Sequence, residues 1–153
     1  MASACLIVDL RDMKGLARLF DDASLDAAAR AGLLSGAAEI LESGSRARFD
    51  TKEDPEGKPW AALAGRTRRR YEKAGQTHRS LLLGTGRLRD SLRSEVAADS
   101  RSAFVGATMI YAAVHQFGWP EKNIPARPYL GASAEDAKAI TDAAVRFLAG
   151  RFG

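Results

Sequence analysis

Cysteine is almost absent: Cys5 stands alone among 153 residues. One thiol excludes an internal disulfide framework and any cysteine-rich metal site. In the short apolar stretch around it, Cys5 reads as inert core. Histidine is nearly as scarce, with only His78 and His115. Zinc needs three or four ligands, and no HxxxH, HxxE or CxxC spacing occurs. No metal and no cofactor is therefore expected. No serine stands in a GxSxG setting, and Gly84-Thr85-Gly86 lacks the length and the lysine of a phosphate loop. His115 has no Asp or Glu in its own turn and reads as a half-buried hydrogen-bonding residue. The acidic residues are scattered and form no acid–base pair, so the chain is not expected to be an enzyme. Long apolar runs are missing too. Ala4–Val8 is too short for a signal core or a membrane span, so folding in a reducing cytoplasm and no membrane partner are expected.

Large apolar residues are thin as well. The apolar fraction is 46%, but 29 of those residues are alanine, which buries little area each. The length suits one domain over residues 1–153, and the modest core suits a subunit completed by neighbours. Charge is unevenly placed. Residues 1–54 carry 7 basic and 10 acidic side chains, and residues 55–95 carry 10 and 4. The basic middle centres on Arg66, Arg68, Arg69, Arg70 and Lys73, in a stretch (about 65–80) that reads as a mobile loop or a frayed helix. Guanidiniums there could meet DNA phosphates or an acidic protein surface, or form a solvated face.

Along the chain, Ala4–Leu10 reads as a short strand, followed by a helix capped by Asp12 with Met13, Leu16, Ala17 and Phe20 on one face. Ser24 is the expected cap of a long helix reaching about Phe49, with Ala29, Leu33, Ala37, Ile40, Leu41 and Gly44 inward. Gly32 and Gly36 permit either a close helix crossing or a soft, bent helix. Asp54-Pro-Glu-Gly57 is a turn that delivers Trp60 and Leu63 to the core. A helical turn over Gly86–Leu92 precedes two antiparallel strands, Glu95–Ala98 and Ala103–Ala107. Ser133, with Asp136 three residues on, opens a last helix through a capping box. The pattern predicts an α+β fold: a small antiparallel sheet with a long N-terminal helix, a central helix and a C-terminal helix.

The central helix leads into the most distinctive stretch, Tyr111–Leu130. Ile110, Ala113, Val114 and Phe117 recur at i, i+3, i+4 and i+7, which predicts one apolar face. Gly118 stops the helix, Pro120 prevents its resumption, and Pro125 and Pro128 hold Ala126-Arg127 extended. The segment reads as a proline-stiffened arm, a surface to be gripped. Its expected contacts with a neighbouring subunit are Trp119, Ile124, Tyr129 and Leu130, with Arg127 as a donor.

Four segments in order carry a further likeness: Asp54-Pro-Glu-Gly-Lys-Pro-Trp-Ala-Ala-Leu63, Leu81-Leu-Leu-Gly-Thr-Gly-Arg-Leu-Arg-Asp-Ser-Leu92, Tyr111-Ala-Ala-Val-His-Gln-Phe-Gly118 and Ile124-Pro-Ala-Arg-Pro-Tyr-Leu-Gly131. Together they resemble the phage virion morphogenesis, or tail-completion, proteins of Mu-like tailed phages, over roughly Arg46–Phe147. The resemblance implies a structural part of the virion at the head–tail junction, in the tail or neck. It implies a ring, sixfold by analogy with tails, contacting tail-tube or tail-terminator and head-connector proteins. Transient DNA contact in the channel is possible under it, and no catalysis is implied. The Arg66–Lys73 stretch is outside the shared motifs. A free nucleic-acid-binding module using that stretch is the alternative.

Overall fold

The computed structural model describes residues 5–8, 25–76 and 81–152, with the backbone alone at 5–8 and 152. The Asp12-capped helix with Met13, Leu16, Ala17 and Phe20 lies outside the described residues, as do Ser24, His78, Arg79 and the Cys5 side chain. Strand β1 is Cys5–Val8, and helix α1 follows over Ala27–Thr51. The cap of α1 is Asp26, whose carboxylate accepts from the Ala29 amide at 2.7 Å. The helix ends at Lys52, which turns left-handed (φ 64°) and returns its N–H to Arg48 O at 2.8 Å. Ala29, Leu33, Ala37 and Leu41 are buried as the periodicity predicts, and Leu34, Ala38 and Phe49 widen the stripe.

The expected turn at Asp54 is present. Its carboxylate accepts from the Glu56 and Lys58 amides, both at 2.9 Å, and Gly57 supplies φ 80°. Trp60 then enters the core, edge-on to Phe49 with ring centroids 5.6 Å apart. Gly65–Lys73, where a loop or frayed helix was expected, forms the nine-residue helix α2. A single turn, α3 (Arg87–Asp90), leads into strand β2 (Leu92–Val96), which begins three residues before the expected start.

Strand β3 (Ala103–Ala107) is the centre of a three-stranded antiparallel sheet ordered β1-β3-β2. Its Ala103, Val105 and Ala107 are buried at every second position, the period of a sheet with one covered face. Register pairs Leu6 and Ser94 with Val105, and Leu92 with Ala107. Helix α4 (Ala112–Phe117) and a 3-10 turn at Pro120–Lys122 follow. Helix α5 (Ala134–Phe152) closes the chain.

Helix α1 packs on β2 and β3 and also on α5. The α5 capping box is as predicted: Asp136 N donates to Ser133 Oγ at 3.0 Å, and Ser133 N to Asp136 Oδ2 at 2.9 Å. At the other end, Arg151 pairs with Asp26. The two glycines of α1 separate in role. A Cβ on Gly32 would sit 2.9 Å from Phe147 Cζ, a close helix crossing, whereas Gly36 has nothing within 4 Å. The architecture is α+β, as the pattern predicts.

Candidate assembly surface

Helix α4 is turned differently from its apolar periodicity. Ala112 is the residue wholly buried, while Ile110 and Phe117 are 70% and 72% exposed. The cause lies one turn on from Ala112, at Gln116. Its side-chain oxygen accepts from the Tyr129 and Leu130 amides, each at 3.0 Å, and its nitrogen donates to Leu130 O at 3.1 Å. Three bonds from one amide tie α4 to the chain that follows Pro128. They set the inward face of a helix too short for apolar area to decide it.

The stretch after Gly118 divides into a hairpin and a tether. Trp119 N donates to Ile124 O at 2.7 Å, and Ile124 N to Trp119 O at 3.0 Å, closing a loop around the 3-10 turn. Beyond it the chain returns inward. Arg127 N donates to His115 O at 2.7 Å. The Arg127 guanidinium, whose pKa burial pulls below its usual value, donates to Ala61 O (2.7 Å) and Ala62 O (3.0 Å). Tyr129 is fully buried, donating to Ala112 O at 3.1 Å, and Leu130 is buried beside it. Arg127, Tyr129 and Leu130 are thus held inside the monomer rather than presented as an arm. Ile124 is half-buried, and Trp119 is 42% exposed, with its Nε1 on Glu121 at 3.3 Å.

Gly118 makes this return possible. It adopts φ 78°, and a Cβ there would fall 2.7 Å from the Ala126 backbone nitrogen. Gly118→Ala meets both a left-handed penalty and a backbone clash, so we expect a loss of about 2 kcal/mol. A thermal midpoint lower by about 4–8 °C, with early proteolysis at the hairpin, checks it.

A second knot holds the base of the same segment. Arg48, buried near the end of α1, donates to Tyr129 O (3.0 Å), Gly131 O (3.1 Å), Ser45 Oγ (3.3 Å) and Asp136 Oδ2 (2.5 Å). Gly44 leaves room for that carboxylate, since a Cβ there would lie 2.9 Å from Asp136 Cγ. Neither Arg48 nor Gln116 was marked by the sequence. Apart from Ser45, three residues before Arg48, their partners lie 81 to 88 and 13 to 14 residues away, and no local spacing signals those.

What faces outward is apolar on α4 and cationic on α2. Ile110, Tyr111, Phe117 and Trp119 are exposed on and beside α4, and Val145 and Phe147 on α5. Arg66, Arg68, Arg69, Arg70 and Lys73 are all exposed on α2, whose nine residues include none that is buried. Between α2 and α4 lies an open cleft of about 300 Å³, bordered by Tyr71, Leu81, Arg87, Tyr111 and His115. Burial first, and the Arg127 charge second, pull the His115 pKa below its ordinary value, so the imidazole is neutral at pH 7. Its Nδ1 is buried without a partner among the described residues. No three His, Cys, Asp or Glu side chains among the described residues converge to hold a metal. No described helix is long and apolar enough to cross a membrane.

A small α+β part whose polar groups knot its own backbone, while large apolar residues face out, has the build of an assembly subunit. Residues 11–149 match the profile of the phage virion morphogenesis family, and the chain belongs to that family. It is 33% identical over 114 residues to the Escherichia phage Mu protein named "Putative capsid assembly protein G", covering 70% of this chain and 71% of that one. It is also 37% identical over 73 residues to "Uncharacterized protein MJ0331" of Methanocaldococcus jannaschii. That match covers 46% of this chain and 53% of the archaeal protein, about half its length. No solved structure matches. The four-segment resemblance is thereby shown, and with it a part in phage virion assembly.

Proposed function

We propose that the protein is a non-catalytic, ring-forming subunit at the head–tail junction, which completes the tail or joins it to the head. The observation that carries this reading is the outward face of α4, where Ile110 and Phe117 stand about 70% exposed beside Trp119. An apolar cluster on a lone soluble protein marks a surface meant to be covered. Val145, 57% exposed, is an outward apolar residue on a different element, α5. A patch that meets a different surface of the next copy makes a heterologous contact, which closes into a ring when the rotation between copies allows. Other copies are the first partners, sixfold by analogy with tails, and tail-tube or tail-terminator and head-connector proteins the next. The contact set becomes Trp119 and Ile124 with Ile110 and Phe117, while Arg127, Tyr129 and Leu130 brace it from inside.

Phe117→Asp tests the reading, because its side chain is exposed and its loss leaves the core alone. In native mass measurements the wild type is expected to assemble, alone or with its tail-tube partner. The variant should stay monomeric with an unchanged circular dichroism spectrum. A wild type that remains monomeric with the partner present, or a variant that assembles equally well, removes the proposal.

A further inference from the structure

The charge on α2 has no role in the knots or in the apolar surface. Arg66, Arg69, Arg70 and Lys73 fall at i, i+3, i+4 and i+7, which places them along one side of the helix. At 1.5 Å per residue the stripe is about 10 Å long. Glu72, the acid within α2, lies off this stripe and faces Arg68 at 3.8 Å. Arg70 lies over the Tyr71 ring, 5.5 Å from its centroid. Arg66, Arg69 and Lys73 make no ion pair with any described residue. No residue of α2 is buried, so four cations stand clear of the core on a helical frame.

We propose that this stripe binds the phosphate backbone of duplex DNA without reading its sequence. Duplex DNA carries a charge about every 1.7 Å along its axis, so a row of cations meets phosphates at any register. An acidic protein surface fits less well. Stable protein contacts centre on apolar or aromatic anchors driven out of water. The aromatic residue of α2, Tyr71, borders the cleft with Leu81 and His115, and the cationic stripe itself carries no apolar side chain. Charge without an anchor gives salt-sensitive attraction that allows sliding, which suits a polymer moving past a fixed part. The proposal concerns a single copy and does not depend on ring closure, although a ring would multiply the contact.

The test measures fluorescence anisotropy of a random-sequence duplex of about 30 base pairs from about 25 to 300 mM salt. Three proteins are compared, each on the wild-type and the Phe117→Asp background, so that failure to assemble and failure to bind are read separately. They are the unaltered chain, a variant carrying Arg66→Ala, Arg69→Ala and Lys73→Ala, and a charge-matched variant carrying Arg101→Ala, Lys138→Ala and Arg146→Ala. Alanine favours helix and nothing in α2 is buried, so the first variant should keep its fold, which circular dichroism checks. Each phosphate neutralised contributes about −0.9 to the slope of log K against log salt, so four cations give about −3 to −4 for one copy. The α2 variant is expected to lose at least about tenfold in affinity at low salt and to flatten the slope by about 3, whereas the charge-matched variant changes by less than about threefold. No binding at low salt, equal weakening by both variants, or binding to polyglutamate but not to duplex DNA would each overturn the proposal.

Discussion

Arg48→Ala is expected to lower the thermal midpoint by about 10 °C, the largest effect of any single charge in the described part of the protein. The arginine and its partner Asp136 are both buried, at 6% and 8% exposure, and 2.5 Å apart. Removing one member of a buried pair strands the other, at a cost of about 3–5 kcal/mol. In a domain of this size each kcal/mol moves the midpoint by about 2–4 °C. Two further losses fall on the same substitution, because the carbonyls of Tyr129 and Gly131 also give up their donor. Arg48→Lys keeps the charge but not the planar fork that reaches several acceptors at once, so an intermediate midpoint is expected. Lys138→Ala is the contrast. It breaks a pair at a similar distance, 2.9 Å from Asp142, but in solvent, and should leave the midpoint unchanged. Scanning calorimetry of the three variants decides the matter. Equal midpoints for Arg48→Ala and Lys138→Ala would show that the knot at Arg48 holds nothing together.

Local chemistry was readable where it is also sufficient. The Asp54 turn, the Ser133–Asp136 box and the alternation along Ala103–Ala107 each need only neighbours in sequence, and each forms as expected. The long helix was readable from its periodicity, although its cap moved to Asp26. The face of α4 was not. Four apolar residues at helical spacing predict an inward stripe, but over a helix of only six residues they bury too little area to dictate it. Three hydrogen bonds from Gln116 and the left-handed Gly118 settle the rotation instead. The periodicity therefore placed Ala113 against the core, as it does in the fold, but put Ile110 and Phe117 on the wrong side, and those two are exposed.

The tail of that segment shows the opposite error. Ile124 to Leu130 looked like a projecting arm because proline stiffens an extended chain. Extension alone does not say whether a strip points outward or lies across the fold. Here the carbonyls of Ala61, Ala62 and His115, the Gln116 amide and the Arg48 fork grip the strip from three separate parts of the chain. Such grips depend on long-range proximity, which one sequence cannot display. On α2 the sequence displayed the charge but not its order. Only the helix aligns Arg66, Arg69, Arg70 and Lys73 along one side.

Tyr129→Ala should cost about 3–5 kcal/mol, the range for truncating a large aromatic residue in a packed core. Tyr129 is completely buried, its ring centroid 5.3 Å from that of Phe49, which in turn meets Trp60. These three aromatics come from the end of α1, the strip after the Asp54 turn and the strip after Pro128, so one truncation loosens three segments. Tyr129→Phe separates packing from polarity. It keeps the ring but removes the hydroxyl's bond to Ala112 O, for a loss of about 1 kcal/mol. Burial also pushes the Tyr129 phenol well above its ordinary pKa. In the unfolded chain a tyrosine ionises near pH 10, so above that pH the unfolded state sheds a proton that the folded state keeps. The sign follows directly: stability falls as pH rises past about 10, and part of that fall belongs to Tyr129. Urea unfolding at about pH 8 and about pH 11 should therefore show the wild type losing more stability than Tyr129→Phe across the same interval, with Tyr71 and Tyr111 common to both. Equal losses in the two proteins would mean that Tyr129 ionises in place, and that the aromatic knot beneath the α4 surface is open to water.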